Sequence, residues 1–328
     1  KSTMDHTYYI GIDISCKSFD AALYIDNTHY QHSSFDNTAE GFDALLSWLD
    51  KAPSNLHFLM EATNVYWEPL AYYLNTKGVT VSVINPKCTK GYADSLNIRS
   101  KTDIVDAKLI ARYCAKEQPQ AWLPPKELDR GLLLKLRQLE HLKGQYQSEQ
   151  VRKTMLRDAD GIASCQRTLD FLADEVSTLQ ATIDKLITSD ETLKRNAKLL
   201  ASIPAVGKLT IPWLLAYLGD GSKFKKSKQA TSFAGLTPMI HQSGTSVEKK
   251  PRISKIGHSE IRKVLYMPAM GFAYGKYKEG AYQSFVTRLN SHGKPKMVVI
   301  VALMRKILSI AQAVLKSQQP FDAALHKD

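Results

Sequence analysis

The sequence predicts an α/β domain followed by a mostly helical region, and three observations support this. The first 117 residues alternate short β-branched or aromatic runs with amphipathic stretches, as layered α/β domains do. After Pro124-Pro125 the pattern changes to leucines at spacings of three and four. The last third is strongly basic. We therefore expect an α/β domain at 1–125, a helical coiled-coil segment at 126–195 and a basic domain at 196–328.

Each element of the first domain follows from a local pattern. Three runs rich in β-branched and aromatic residues predict strands, and a stretch with amphipathic spacing predicts a helix. In chain order we predict strands at 8–14, 19–25 and 29–36, a helix at 38–50, a strand at 56–60, a helix at 69–77, a strand at 79–84 and a helix at 103–116. The order β-β-β-α-β-α-β-α is that of an RNase H-like fold.

Two apolar stripes dominate the middle of the chain. They comprise Leu133, Leu136, Leu139, Leu142 and Tyr146, then Leu169, Leu172, Val176, Leu179, Ile183 and Leu186. This spacing predicts two long helices, broken near Gly161. The helices could form an intramolecular hairpin or a dimerising coiled coil, and the sequence leaves both open.

Composition indicates a polyanionic partner. The 328 residues carry a net charge of +12. From residue 196 onward, 21 Lys and Arg stand against 6 Asp and Glu, a net of +15, whereas the preceding part is slightly acidic. The four cysteines form no CxxC pair, which argues against a zinc site and a secreted disulfide framework. No apolar run looks long enough for a transmembrane helix and no signal peptide is visible, so we expect a cytoplasmic protein without a membrane partner.

Four acids in the first domain are candidates for a hard-metal site. Asp13 lies inside an apolar strand and Glu61 ends another, where an acid is costly unless it is paired or holds a cation. Asp103 and Asp106 lie three residues apart on a predicted helix and share one face. Carboxylates around divalent cations in a basic protein indicate phosphodiester chemistry. Taken singly, however, Asp103 could favour a helix N-terminus and Asp106 could be a solvated surface residue.

The basic domain offers a candidate nucleophile. Ser243 opens a predicted Ser-Gly-Thr-Ser loop just before several cations, which would stabilise an alkoxide and neutralise a phosphate. The same loop could instead be polar structure beside a phosphate site. Upstream, a helix, a tight turn at 203–207 and a second helix resemble a helix-hairpin-helix element, although an ordinary helical packing unit fits equally well.

Several basic residues are candidates for contacts with nucleic-acid backbones. The first group crowds one loop with Phe224, and the second follows Ser243. The candidates are Lys223, Lys225, Lys226, Lys228, Lys249, Lys250, Arg252, Lys255, Arg262 and Lys263.

Several segments resemble the DEDD-type transposases of the IS110 insertion-sequence family and the related Piv-like DNA invertases. They include YIGIDISCKSFDAAL, MEATNVYWEPLA, RSKTDIVDAKLIARY, SIPAVGKLT, FAGLTP, QSGTS and RISKIGHSEIRKVLYMPAM, in the family's order. The resemblance places the family's acidic tetrad on Asp13, Glu61, Asp103 and Asp106. It places the family's serine on Ser243, with Ser246 as the weaker match.

The resemblance implies a RuvC-like domain, a coiled-coil insertion and a transposase domain. It also implies site-specific recombination of donor and target DNA, guided by a bridge RNA, through a 5′-phosphoserine intermediate with Mg²⁺ or Mn²⁺. A tetramer built as two dimers, with composite sites, is implied as well, and Arg252 and Arg262 would clamp phosphate. The alternatives are a metal-dependent RuvC-like nuclease or junction resolvase that uses water, and a non-enzymatic repressor.

Overall fold

The structure is a computed structural model that describes residues 7–51, 53–98, 102–243 and 247–326. Residues 53, 240–243, 247–251 and 326 are described by their backbone alone. The chain divides into two compact units, Lys1–Pro124 and Pro125–Asp328, called unit 1 and unit 2 below. The helical segment and the basic domain of the sequence analysis therefore fall within one compact unit.

Unit 1 is built on a five-stranded mixed sheet of order β3-β2-β1-β4-β5. Its strands are β1 (Tyr8–Ile14), β2 (Ser18–Tyr24), β3 (Tyr30–Asp36), β4 (Leu56–Glu61) and β5 (Thr80–Ile84). The first three strands form an antiparallel meander, and β4 and β5 add in parallel beyond β1. The predicted mixed α/β character is confirmed, and each predicted strand lies within one residue of the observed one.

Helices cover both faces of this sheet. They are α1 (Ala39–Leu49), α2 (Glu68–Thr76), α3 (Pro86–Ser95) and α4 (Asp103–Glu117). On one face Ile10, Ile12 and Phe58 share a core with apolar residues of α1 and α2. On the other face Ala22 packs with two alanines of α4. Helix α3 was not predicted, because its sequence is polar and only Thr89 is buried.

Unit 2 is mostly helical and carries one two-stranded ribbon. Its elements are α5 (Glu127–Met155), α6 (Ala159–Ser189), α7 (Glu191–Ala201), α8 (Ile211–Leu218), α9 (Ser227–Phe233), β6 (Pro238–Ser243), β7 (Val247–Ile253), α10 (Ser259–Ala273), α11 (Gln283–Ser291) and α12 (Lys296–Ser317). One hydrophobic core joins the long helices to α8, α10 and α12.

The two long helices form a hairpin within this chain. The Cys165 thiol donates to the carbonyl oxygen of Glu149 at 3.4 Å near the turn. Leu169 and Leu172 of the second stripe are buried, and Leu179 packs against the unit 2 core. The break lies at residues 156–158, slightly before the predicted Gly161. The stripe that could have joined two copies thus contacts its own chain.

Helix α12 corrects the expectation that no apolar run could span a membrane. Among the described residues it is the one helix with the length and composition to do so. However, 61% of its most apolar window is buried, and Leu303, Ile307 and Leu308 are fully enclosed. Core helices of globular proteins meet the same criterion, and burial accounts for the apolarity of this one.

Candidate active site

Asp13 lies at the centre of the sheet of unit 1. Its neighbours Ile12 and Ile14 point into the core that contains α1 and α2. Because side chains alternate along a strand, Asp13 faces the opposite side, where α4 lies. Asp13 is half-buried there.

Glu61 reaches the same level from the parallel strand β4. Ile12 pairs with Met60, so the residues that follow them, Asp13 and Glu61, lie side by side at the strand ends. Thr89 of α3 donates a hydrogen bond to one carboxylate oxygen of Glu61. The unpredicted helix α3 therefore holds one member of the acidic tetrad.

The other two acids lie in the first turn of α4. Thr102 is the N-cap, and its hydroxyl accepts a hydrogen bond from the Val105 amide at 3.2 Å. This cap starts the helix at Asp103 and places Asp103 and Asp106 in its first turn, where the helix dipole favours acids.

Gly11 allows α4 to lie directly on β1. A Cβ at Gly11 would come within 2.1 Å of the Ala111 nitrogen and 2.3 Å of the Ala107 oxygen. These are backbone atoms, so no side-chain movement could make room. The small residues Gly11, Ala107 and Ala111 thus set the distance between the strand of Asp13 and the helix of Asp103 and Asp106.

The acids interact electrostatically. Burial, with repulsion from Asp106, Asp103, Glu61 and Asp20, raises the pKa of Asp13 from 3.8 to about 6. The four predicted acids therefore lie within electrostatic reach of one another, although they come from three distant segments.

The tetrad has the chemistry of a site for a hard divalent cation. Carboxylate oxygens are the ligands that Mg²⁺ and Mn²⁺ prefer, and a bound cation would relieve the repulsion that raises the pKa of Asp13. As arranged, the acids are not a closed coordination sphere: in the part of the chain that the structure describes, no three His, Cys, Asp or Glu side chains form a metal-sized group.

Asp20 is a fifth acid at this site. It pairs across the sheet with Asp13. Its Oδ1 accepts a hydrogen bond from the Ser34 hydroxyl at 2.6 Å and lies 2.7 Å from His32 Nε2. Its place at the site depends on the register of three strands, which local sequence patterns do not contain.

Ser243 is the last residue of β6, in a two-stranded ribbon rather than in a loop. Its backbone pairs with that of Val247 on β7. The side chains of Ser243, Lys249 and Lys250 lie outside the described part of the chain, as does all of Ser246.

The base of the ribbon is closely packed. A Cβ at Gly257, where φ is +146°, would come within 2.2 Å of the Phe233 carbonyl oxygen. The Lys255 amide donates to Gly235 O at 3.0 Å, with Lys255 itself in the left-handed region at φ +53°. The Ser254 amide donates to the carbonyl oxygen of Thr237 at 2.8 Å.

Arg262 of α10 stabilises the base of the ribbon through hydrogen bonds. Its guanidinium donates to the carbonyl oxygens of Ala234 at 2.9 Å and Gly257 at 3.3 Å. It therefore joins the segments that enter and leave the ribbon. Arg262, predicted above as a phosphate clamp, thus has a structural role, and the clamp itself stays a prediction.

The remaining predicted basic residues differ in their surroundings. Lys225, Lys226, Lys228, Arg252 and Lys255 are exposed. The ammonium of Lys223 lies 4.3 Å from the centroid of the Phe233 ring, and that of Lys263 pairs with the Glu140 carboxylate at 2.5 Å.

The helix–turn–helix predicted around 203–207 is present. Helix α7 ends at Ala201 and α8 begins at Ile211. Ala205 adopts a left-handed backbone with φ +77°, and Leu209 in the turn is 75% exposed. The second half of the turn, residues 207–209, therefore lies at the surface.

Comparison with known proteins assigns the chain to a family. A profile described as transposase matches residues 10–157, and one described as transposase of the IS116/IS110/IS902 family matches residues 197–283. The pilin gene-inverting protein of Moraxella bovis is 41% identical over 325 residues, covering 97% of this chain and 99% of that protein. The chain belongs to the IS110 family. It is thus an enzyme of the transposase and DNA-invertase class, which cuts and rejoins DNA.

Other relatives match over shorter stretches. The insertion element IS110 43.6 kDa protein of Streptomyces coelicolor is 26% identical over 157 residues, or 47% of this chain and 36% of that protein. The transposase for insertion sequence IS1111A of Coxiella burnetii is 27% identical over 219 residues, or 57% of this chain and 58% of that protein. The first family profile contains all four acids, and the second contains the ribbon and Arg262.

Proposed function

We propose that this IS110-family enzyme is a bridge-RNA-guided recombinase that cuts DNA through Ser243 with the help of Mg²⁺, or Mn²⁺ in its place. The observation that carries the proposal is that β1, β4 and the first turn of α4 bring the four acids to one site, where their mutual repulsion helps to raise the pKa of Asp13. On this reading unit 1 is a RuvC-like domain and the α5–α6 hairpin is the family's coiled-coil segment.

Each step breaks one phosphate ester bond and forms another, so the number of such bonds does not change. The Ser243 hydroxyl oxygen attacks the scissile phosphorus and forms a phosphoserine ester with the 5′ end. The bond to the 3′ oxygen breaks, and that oxygen takes up a proton to become a free 3′-hydroxyl. In the second step a 3′-hydroxyl of the partner strand attacks the phosphoserine, and Ser243 recovers its proton. No external energy source is needed.

The acids would hold the cation. When bound, it neutralises charge on the scissile phosphate and so favours attack by the serine oxygen. Asp13, Glu61, Asp103 and Asp106 would supply its carboxylate ligands, and the hydrogen bond from Thr89 would orient Glu61.

Specificity would come from RNA. A bridge RNA would pair with donor and target DNA, and the protein would hold duplex shape and backbone through its basic residues. Assembly of a tetramer would bring acids and serines of different subunits together. The full-length likeness to a gene-inverting protein favours recombination between two sites on one DNA, which inverts the segment between them.

The test is a covalent adduct. Purified protein with its co-purifying RNA is incubated with Mg²⁺ and labelled duplex carrying a cognate site, and the reaction is stopped in SDS. We expect a slowly migrating protein–DNA band in wild type. The band should be absent in Ser243→Ala and in Asp13→Ala, and retained in the matched control Ser246→Ala.

Two outcomes would overturn the proposal. Cleaved but unattached DNA that persists in Ser243→Ala would make the enzyme a nuclease that uses water. Loss of the band in Ser246→Ala with retention in Ser243→Ala would move the nucleophile three residues along the chain.

A further inference from the structure

Unit 2 carries further basic residues at 274–296, a part of the sequence separate from the β6–β7 ribbon. Two loops lie in this part of the chain, one joining α10 to α11 and one joining α11 to α12. The ammonium of Lys296 lies 5.6 Å from the centroid of the Tyr274 ring, and the Tyr274 hydroxyl donates to Asn290 Oδ1 at 3.1 Å. These contacts place Tyr274, at the start of the first loop, beside α11 and beside Lys296, the residue that follows the second loop. We call the following group of residues the tyrosine platform: Tyr274, Lys276, Tyr277, Lys278, Lys294 and Lys296.

Tyr277 is held in place although it is 52% exposed. Its ring stacks on the buried Phe272, with centroids 5.3 Å apart and planes at 22°. Its amide donates to the carbonyl oxygen of Gly271 at 3.1 Å, and its carbonyl oxygen accepts from the Gly280 amide at 2.9 Å. One ring face is therefore covered, and the rest is presented to solvent in a fixed orientation.

The surroundings of the two rings are strongly positive. Four lysines belong to the platform, and Glu279 is the one acid in the two connecting loops. The ammonium of Lys276 lies 5.8 Å from the centroid of the Tyr277 ring. Cations beside exposed aromatic rings favour a ligand that has both negative charge and flat π-faces.

We propose that the tyrosine platform binds an unpaired segment of RNA, with bases stacking on Tyr277 and Tyr274 and phosphates facing the lysines. Paired duplexes bury their base faces, so a stacking surface selects unpaired nucleotides. The choice of RNA over DNA rests on the proposed function, in which the DNA substrates are duplex and the guide supplies the unpaired loops.

The test measures binding of a labelled oligouridine of about 12 nucleotides by fluorescence anisotropy, using the full chain. Tyr277→Ala should weaken binding about 5- to 100-fold, the range found for loss of one stacking residue. Tyr277→Phe keeps the ring and should bind like wild type. The control Phe171→Ala removes a 62% exposed ring that has Asp170 and Asp174 near it in sequence, and it should change nothing.

The contribution of the lysines is tested by the salt dependence of the dissociation constant. Replacing Lys276 and Lys278 by Gln should make the dependence of log Kd on log salt shallower by about 1.4, the value expected for two contacts on a single strand. The same exchange at Lys185 and Lys194, which lie on α6 and α7, is the charge-matched control.

A crosslinking experiment on wild type tests the proposal without depending on the stability of a variant. Oligouridine with a central 4-thiouridine should crosslink wild type at the peptide containing Tyr277. Crosslinks confined to other peptides, or equal binding by Tyr277→Ala and wild type, would overturn the proposal. Tighter binding of the matched DNA strand, with the same loss in Tyr277→Ala, would replace RNA by single-stranded DNA.

This result is separable from the proposed function. If Tyr277→Ala binds RNA normally while wild type still forms the Ser243 adduct, the platform proposal alone fails. If RNA binding depends on Tyr277 but no adduct forms, the serine mechanism fails and the platform remains.

Discussion

The two units present their predicted catalytic groups in different ways. In unit 1 the acids come from two strands and a helix that are fixed by the core, and Gly11 lets α4 lie directly on β1. In unit 2, Ser243 is the last residue of the first strand of a ribbon whose base is hydrogen-bonded to neighbouring segments and to Arg262 of α10. The acids depend on backbone packing across the whole unit, whereas the serine depends on a local anchor.

This difference matches the tasks proposed for each group. Ligands for a cation must hold their geometry before it arrives, and rigid elements do this best. A nucleophile must be held where it can reach the scissile phosphate, and the hydrogen bonds at the base of the ribbon anchor the strand that ends at Ser243. The predictions below test this contrast, beginning with the largest expected effect.

Gly11→Ala should abolish most of the activity. The added methyl group would meet backbone atoms of Ala107 and Ala111, so α4 must shift and carry Asp103 and Asp106 with it. A displacement of about 1 Å can cost about 100-fold in rate. We expect at least that loss in the yield of recombined DNA, along with a lower melting temperature.

Gly91→Ala is the matched control for this change. Gly91 lies in α3 of the same unit, and a Cβ there meets nothing within 4 Å. Alanine in a helix is favoured over glycine by about 1 kcal/mol, so this variant should be as stable as wild type or more so. Equal activity in Gly11→Ala and Gly91→Ala would show that the contact of α4 with β1 does not position the acids.

Asp13→Asn should stabilise the cation-free protein at alkaline pH. Folding raises the pKa of Asp13 from 3.8 to about 6, so ionisation costs stability as pH rises from about 4 to 6 and the full cost persists above. Allowing for solvent screening, the cost is about 2 kcal/mol. Denaturant unfolding without divalent cations should show the variant more stable than wild type at pH 8 and equal to it below pH 4.

Asp20→Ala is the contrasting variant at the same site. Asp20 Oδ1 accepts a hydrogen bond from the Ser34 hydroxyl and lies beside His32 Nε2, so removal of this oxygen should lower stability instead of raising it. In a separate comparison, Mg²⁺ should raise the stability of wild type more than it raises the stability of Asp13→Asn. The same stability for wild type and Asp13→Asn at pH 8 would contradict the electrostatic account of the site.

Arg262→Ala should reduce adduct formation about 10-fold at saturating DNA, because the base of the ribbon loses its hydrogen bonds to Ala234 O and Gly257 O. Arg262→Lys should recover part of the rate. Arg195→Gln, an exposed change on α7, is the control. A loss of DNA affinity and salt dependence, with a normal rate at saturation, would instead make Arg262 a phosphate clamp alone.

Leu179→Lys should have the smallest effect. Leu179 packs against the core of its own unit, so a lysine should lower stability by about 1 kcal/mol and leave the mass of the particle unchanged in light scattering. Phe171→Lys on the exposed face of α6 should alter neither quantity. A smaller particle for Leu179→Lys would show that this stripe also joins subunits.

The sequence predicted the elements that have strong periodicity. The strands of unit 1 and the helices α1, α2 and α4 alternate or repeat their apolar residues clearly, and they were found within a residue or two of the predicted bounds. Helix α3 was missed because it buries almost nothing, and the ribbon because β7 is polar and contains Pro251. Neither element contributes the apolar pattern on which such prediction depends.

The candidate site was predictable only in part. The four acids stood out because carboxylates are costly near buried strands. The roles of Gly11, Thr89 and Asp20 depend on contacts between elements far apart in sequence, which local patterns do not contain. Arg262 was predicted as a phosphate clamp, but its hydrogen bonds to two carbonyl oxygens follow from the path of the chain around the ribbon base.

The cysteines offer a way to observe the acidic site without altering the chain. Cys16 and Cys88 are exposed, whereas Cys114 and Cys165 are buried. Cys16 lies three residues after Asp13, and Cys88 precedes Thr89, the residue that holds Glu61. A thiol-reactive fluorophore would therefore attach at the two positions beside the tetrad and leave the cores unmodified. The two exposed cysteines thus provide labelling positions beside the acidic site. The emission of the attached fluorophores should change when a cation or DNA reaches the acids.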